Sequence, residues 1–431
     1  MFSHAGQSFR AFHAQRSASA ERLYLRVEDG LSIQEQIETL GAELKQRTGC
    51  TERDIQVVYS PLRISPLGAH VDHQDGLVTG MTLDRVVLLA FVPRHDTRIR
   101  IESINFPGMT EFDMDDVPLK VPGDWGNYVR GAVLALQQEH DLHVGMDALV
   151  EGRMPIGGLS SSAAVGVAYL LALETANELA VTPEENIQLD RYIENSYLGL
   201  RNGILDQSVI LMSDRDHLTF LDCQSVEFAK YPTPADNGRF EILVAYSGLA
   251  KSLTNTDYNV RVSECQQAAR MMLEWIGEPV PERPRLRMVP EDVYDELVDR
   301  LPVPLDRRAR HFFTEICRVR AGVEAWLAGD LEEMGALINE SGASSVHNYE
   351  SGCPHLVTLY SILRDCPGVY GARFSGGGFR GSCIGLVDPA YREEIKRTIA
   401  ARYPVAHPDV ADRYSIHFCK LDGPARLLNG I

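Results

Sequence analysis

The stretch Met154–Ala164, reading Met-Pro-Ile-Gly-Gly-Leu-Ser-Ser-Ser-Ala-Ala, constrains this chain more than any other. Gly157 and Gly158 reach backbone angles closed to other residues, so main-chain N–H groups can converge on an anion at this turn. The apolar helix predicted over Ser160–Leu179 adds the positive end of its dipole. Ser160, Ser161 and Ser162 contribute hydroxyls suited to phosphate oxygens or to a hard cation. An ordinary Ser-capped helix start has the same local appearance, so the choice between cradle and cap rests on the remaining residues.

At 431 residues the chain exceeds what one core usually organises, and two domains are expected. The balance of 42 basic against 60 acidic residues gives a formal charge of −18, which repels nucleic acid and anionic lipid and excludes polyanion partners. An anionic small substrate then needs local cations. The eight cysteines are scattered without a Cys-x-x-Cys pair, which favours reduced thiols and a cytoplasmic setting. Apolar runs such as Val86–Val92 and Ala163–Leu173 are too short to span a bilayer. Residues 1–22 read as a flexible tail, with two Arg, two His and several Ser in the first twenty and no signal-peptide core.

The organisation is α+β. Strands are predicted at Ile55–Tyr59, Arg85–Val92, Arg98–Ile104 and Ala148–Gly152, then at Leu218–Asp222, Phe240–Ser247 and Ser382–Val387. Helices are predicted at Ile33–Thr48, Trp125–His140, Ser160–Leu179, Pro183–Leu198, Asp306–Leu327 and Pro354–Arg364. The fourth has Thr182 as cap, Pro183 at the first position and acids on the first turn. The tract Lys230–Gly238, rich in Pro, Asn and Gly, is the best internal boundary, giving domains at 23–235 and 236–431.

Three further clusters carry possible chemistry. Ser60–Gly76, read as a loop between strands, gathers Arg63, His70, Asp72, His73 and Asp75. His-x-Asp-His also suits a metallohydrolase, although no second ligand cluster completes such a site. Glu194 and Asp206 lie on a helix and the turn after it, Asp206 within the apolar Gly203-Ile-Leu-Asp-Gln207. A triple-glycine turn, Ser375-Gly-Gly-Gly-Phe-Arg-Gly381, runs into a strand.

Taken together, these motifs in this order resemble the GHMP small-molecule kinases, and within them the galactokinase branch. The sugar signature resembles Ser60-Pro-Leu-Arg63-Ile-Ser-Pro-Leu-Gly68-Ala-His70-Val-Asp72-His-Gln-Asp-Gly76, the ATP loop Pro155–Ala164, and the third motif Gly371–Gly381. The resemblance implies two α+β domains, the first similar to domain 2 of a ribosomal protein and the second ferredoxin-like, with the site in the cleft between them. It implies ATP and Mg2+ as cofactors. Pro155, Gly157, Gly158, Leu159, Ser160, Ser161, Ser162 and Ala163 would hold the triphosphate, Trp125 and Tyr128 the base, and Ser162 and Glu194 the metal. Ala69, His70, Asp72, Tyr258 and Arg380 fall on the sugar side. Asp206 would accept or orient the proton of the anomeric hydroxyl, with Arg63 stabilising it.

The departures are as informative. Galactokinases carry Gly-Glu-His where this chain has Gly68-Ala69-His70, and Gly-Phe-Gly-Gly where it has Gly378-Phe379-Arg380-Gly381. An acid lost and a guanidinium gained suit a sugar with a carboxylate at C6, because Arg binds carboxylates through two parallel hydrogen bonds. That pattern resembles galacturonokinases and implies phosphorylation of D-galacturonate at its anomeric hydroxyl. The ATP loop is also one residue shorter between Pro155 and Leu159 than in galactokinases. A kinase for galactose, glucuronate or N-acetylgalactosamine is the nearest alternative. A non-catalytic sugar and ATP sensor is the other, disfavoured because Ser160–Ala163, Glu194 and Asp206 all stand.

Overall fold

The structure is a computed structural model that describes residues 31–155, 157–234, 240–249 and 257–428. The tail at 1–22, Ile156 of the glycine turn and positions 235–238 of the Pro/Asn/Gly tract lie outside the described residues.

The first half is built on a large, mostly antiparallel sheet. It runs in the order β12 (Arg426–Leu428), β1 (Gln56–Ile64), β2 (Leu77–Pro93), β5 (Met146–Gly152), β3 (Arg98–Ser103), β4 (Met109–Asp113). The near half of the 17-residue β2 also pairs with β6 (His217–Asp222), which pairs with β7 (Glu227–Pro232). β1 and β2 are buried almost end to end, since both faces of the sheet are covered. On one face lies α1 (Ile33–Thr48), whose Ile37, Leu40 and Leu44 pack with Val57, Tyr59, Val86 and Leu88. Ser32 and Glu35 form a capping box at its start, and Gly49 ends it at φ 73°.

On the other face runs α3 (Ser161–Ala176), flanked by α2 (Asn127–Leu136), α4 (Pro183–Arg191) and α5 (Leu205–Met212). Eleven of the sixteen residues of α3 are buried, so this helix of alanines, leucines and valines is interior on every side. The second half carries a four-stranded antiparallel sheet in the order β11 (Ser415–Cys419), β8 (Glu241–Tyr246), β10 (Ser382–Val387), β9 (Val369–Phe374). Helices α6 (Tyr258–Ile276), α7 (Glu291–Leu297), α8 (Leu305–Ala328) and α9 (Leu331–His347) join it to the first half. A separate core forms under α10 (Pro354–Arg364) and α11 (Arg392–Ala406).

Several elements differ from the sequence expectations. Ser60–Ile64 continues β1, so Arg63 stands on a strand rather than in a loop. The helix expected over Trp125–His140 is α2 alone, starting after Gly126, where a Cβ would lie 2.2 Å from Thr110 Oγ1. α3 stops at Ala176, short of Leu179. The helix expected over Pro183–Leu198 stays α-helical only to Arg191 and continues as a π-turn over Tyr192–Leu198. Such turns are common where a helix must aim a side chain, and this one carries Glu194. The Lys230–Gly238 tract is still in β7 as far as Pro232.

Candidate active site

Asp206 is the second residue of α5, an acid placed on a first turn where the helix dipole favours it. Its Oδ1 accepts from Arg63 Nε at 2.9 Å and Nη2 at 2.5 Å, and its Oδ2 accepts from Ser160 Oγ. Arg63 is 2% exposed, and its Nη1 is buried with no hydrogen-bond partner, a donor left over for a further ligand. The Arg63 main-chain N–H donates to Leu159 O at 3.2 Å, tying β1 to the glycine turn.

Ser160 adopts a left-handed conformation, φ 56° and ψ 42°, and its side chain caps nothing in α3. With the hydroxyl directed to Asp206, the leading N–H groups of α3 have no side-chain acceptor among the described residues, an arrangement suited to anions. The turn before it depends on glycine twice. Gly157 has φ +150° and a Cβ there would stand 2.6 Å from Gly381 Cα; Gly158 has φ +84° and a Cβ would stand 2.9 Å from Ser375 O. Ser382 Oγ donates to Gly157 O at 3.0 Å, and Ser375 Oγ to Gly158 O. The two glycine motifs read separately in the sequence are therefore one structure, backbone against backbone.

Around Asp206 stand three other buried carboxyls. Asp72 accepts from Gly203 N at 3.2 Å, and burial together with the charge of Asp206 pushes it up to about 6. Burial and Asp206 likewise push Glu194 up to about 7, although Asn202 and Ser162 hydrogen-bond it. The Ser162 hydroxyl is also bonded to the Tyr128 phenol. Asp190, one turn before Glu194, is buried with both oxygens unpartnered, and burial and Glu194 hold it well above the usual carboxylate range. Repulsion among acids that share one guanidinium is relieved by a divalent cation, and an all-oxygen donor set suits a hard one.

The sugar-signature loop is clamped by the second half of the chain. Gly68 N and Ala69 N both donate at 2.9 Å to Glu315 Oε1 of α8, and Ala69 O accepts from His311 Nε2 at 2.7 Å. Burial alone raises Glu315, but Arg318, His311, Arg373 and Ser341 outweigh it and hold it at about 2. His70 lies flat on Tyr349, and His73 is bonded to the Tyr349 hydroxyl and to Gln74. These histidines do not converge with Asp72 as metal ligands. Among the described residues the metal-like cluster is His355, His407 and Asp409, where His355 Nε2 is taken by Asp409 and His407 Nε2 by Thr358.

Of the other predicted residues, Pro155, Leu159 and Ala163 are buried walls of the turn, and Ser161 is the first residue of α3. Tyr258 opens α6, buried and edge-on to His73 at 5.9 Å between ring centres. Trp125 is half-buried on the loop before α2, packed against the core. Arg380, on the β9–β10 turn, has no hydrogen-bond or ion-pair partner among the described residues. Sequence reasoning missed Asp190, Asn202, Glu315, Tyr349 and Ser351. Asp190 was within reach as the acid one turn before Glu194, and Asn202 lies only eight residues beyond Glu194; Glu315, Tyr349 and Ser351 act across more than 240 residues and leave no local signal.

A glycine turn at a helix N-terminus, an Arg-held aspartate and a buried acid cluster suit phosphoryl transfer, and comparison with known proteins supports a phosphotransferase. Residues 127–214 match the domain described as GHMP kinases N terminal domain, and 322–405 match GHMP kinases C terminal. A galacturonokinase of Arabidopsis thaliana is 44% identical over 417 residues, covering 91% of this chain and 98% of that protein. A galactokinase of a Roseiflexus species is 32% identical, covering 86% of this chain and 93% of that one. The structure of Lactococcus lactis galactokinase complexed with galactose superposes with a TM-score of 0.82 at 27% identity, over 90% of this chain and 99% of that chain. The chain belongs to the GHMP kinase family.

Proposed function

We propose that this protein transfers the γ-phosphoryl group of ATP to the anomeric hydroxyl of D-galacturonate, giving galacturonate 1-phosphate and ADP. The observation that carries the sugar-acid reading is the pair at Ala69 and Arg380. Position 69 offers no carboxylate, and Arg380 has no partner among the described residues on a turn that touches both the phosphate cradle and His70. The 44% identity to a galacturonokinase agrees with it.

In this reading residues 23–235 supply the cradle and the sugar signature, and 236–431 supply Tyr258 and the Arg380 turn, with the site in the cleft between them. The triphosphate lies on Gly157–Ser162 against the free N–H groups of α3, beside Trp125 and Tyr128 as base contacts. Ser162 and Glu194 would hold Mg2+, which supplies charge neutralisation for the phosphates when bound. Phosphoryl transfer is governed by positioning and charge more than by covalent chemistry. His70 and Asp72 orient the sugar ring, Asp206 takes or orients the anomeric proton, and Arg63 holds the Asp206 carboxylate in place through two hydrogen bonds while its free Nη1 meets the transferred group. ADP release measured across galacturonate, glucuronate, galactose and N-acetylgalactosamine tests this. The highest kcat/KM on galacturonate, with the product phosphate coupled to the anomeric proton by 31P NMR, is the expected result; a preference for either neutral sugar would overturn it.

A further inference from the structure

His70 is gripped from behind by a short strap, Tyr349-Glu350-Ser351, that links α9 to α10. Tyr349 is fully buried, and its ring lies parallel to the imidazole, 4.3 Å between centres and 5° between planes. Glu350 takes a left-handed backbone at φ 56°, and its carboxylate is pinned by Arg307 at 2.5 Å and Arg308 at 2.6 Å. That fixes the strap. Ser351 N and Ser351 Oγ both donate to Ser345 O, at 3.0 and 3.2 Å, and Ser351 Oγ also lies 3.3 Å from His70 Nε2.

A hydroxyl has one proton. With that proton directed to Ser345 O, Ser351 Oγ meets the imidazole with a lone pair, so His70 Nε2 must carry hydrogen. Nδ1 of His70 then has a lone pair and makes no hydrogen bond among the described residues. The neighbouring His73 is fixed by the same logic. Leu286 N donates to Gln74 Oε1 at 3.0 Å, which turns the amide NH2 toward His73 Nδ1 at 2.9 Å. His73 Nε2 is therefore the donor to the Tyr349 hydroxyl at 3.0 Å. One tyrosine thus sets the plane of His70 and accepts the hydrogen bond of His73.

We propose that Tyr349 and Ser351 are positioning residues that hold His70 in its Nε2–H tautomer and present Nδ1 as the acceptor for a sugar hydroxyl. This rests on the sugar-site reading above. The tautomer is measured on the full-length protein without substrate, by long-range 1H–15N spectra with the His70 signals assigned from His70→Asn. A downfield, unprotonated Nδ1 is expected for His70. Ser351→Ala should lose that preference and raise the KM for the sugar about 3- to 10-fold, the worth of one hydrogen bond, with the KM for ATP unchanged. Ser351→Thr, which keeps the hydroxyl, should restore both; thermal melting confirms that each variant is folded. Tyr349→Leu should raise the sugar KM while Tyr349→Phe, which keeps the ring, raises it less. A protonated Nδ1 in the wild type, or a Ser351→Ala protein in which the sugar KM is unchanged or rises in step with that for ATP, overturns the proposal. Absence of turnover on every sugar would instead remove the sugar-site reading, while the spectrum still decides the tautomer.

Discussion

At Asp206 a guanidinium, a serine hydroxyl and a helix N-terminus converge on one carboxylate, so its orientation is specified before any substrate arrives. In the proposed mechanism Asp206→Asn keeps the shape of the site but cannot take a proton. Turnover should fall by a factor on the order of 10² or more while ATP and sugar still bind. Single-turnover rates with calorimetric binding check this, and near-normal turnover would remove Asp206 from the chemistry. Arg63 and Asp206 drew notice because each sits in a short motif whose residue types are unusual for a core, and Glu194 through the family resemblance. Tyr349, Ser351 and Glu315 did not, since what makes them matter is a partner more than 240 residues away in sequence.

Among the elements, the cradle depends on two glycine turns meeting without side chains. A Cβ on Gly381 would lie 2.5 Å from Gly157 C, and its φ of +96° is strained for any other residue. Gly381→Ala should cost on the order of 1–3 kcal/mol of stability and raise the KM for ATP more than that for the sugar, readable by denaturant melts and initial rates. The packing of α3 on α4 gives a pH signature. Glu174 of α3 is buried, with Oε2 accepting from Asn186 at 3.2 Å and Oε1 unpartnered. Burial pushes its carboxyl up to about 7 from 4.5. The folded state favours the neutral form, so this contribution is complete below pH 4.5 and is lost as pH rises through about 7. The stability difference between Glu174→Gln and wild type should grow over that interval by on the order of 3 kcal/mol, in favour of the variant at high pH. A difference independent of pH would contradict it. Helix existence was readable from apolar periodicity and from caps such as Thr182, but the π-turn at Tyr192–Leu198 was not. Within it Glu194 bonds Ser162 and Asn202, contacts that no apolar period announces.

The molecule as a whole is closed by contacts that cross its halves. Glu315, His311 and Arg373 from the second half hold the backbone of Ser65–Ala69 in the first. The final strand, β12, pairs with β1, and Arg426 stacks over Tyr59 at 4.1 Å. Glu315→Ala leaves the Gly68 and Ala69 N–H groups and Arg318 without their buried acceptor. It should therefore lower stability by several kcal/mol and loosen the Ser65–Ala69 segment, seen as a lower melting temperature and, in the proposed site, a raised sugar KM. That the chain has two domains was legible from its length; the return of β12 to the first sheet was not, because three residues carry no period. The central claim is that Ala69 and Arg380 fit the site to a carboxylate at C6. Its most direct test is the ratio of kcat/KM for galacturonate over galactose in the wild type and in Ala69→Glu. Two like charges at ~4 Å cost about 4 kcal/mol at an effective dielectric near 20, so the inserted acid should nearly abolish use of galacturonate while galactose falls less or rises. A wild type that prefers galactose, or a variant that loses both sugars equally, would contradict the account.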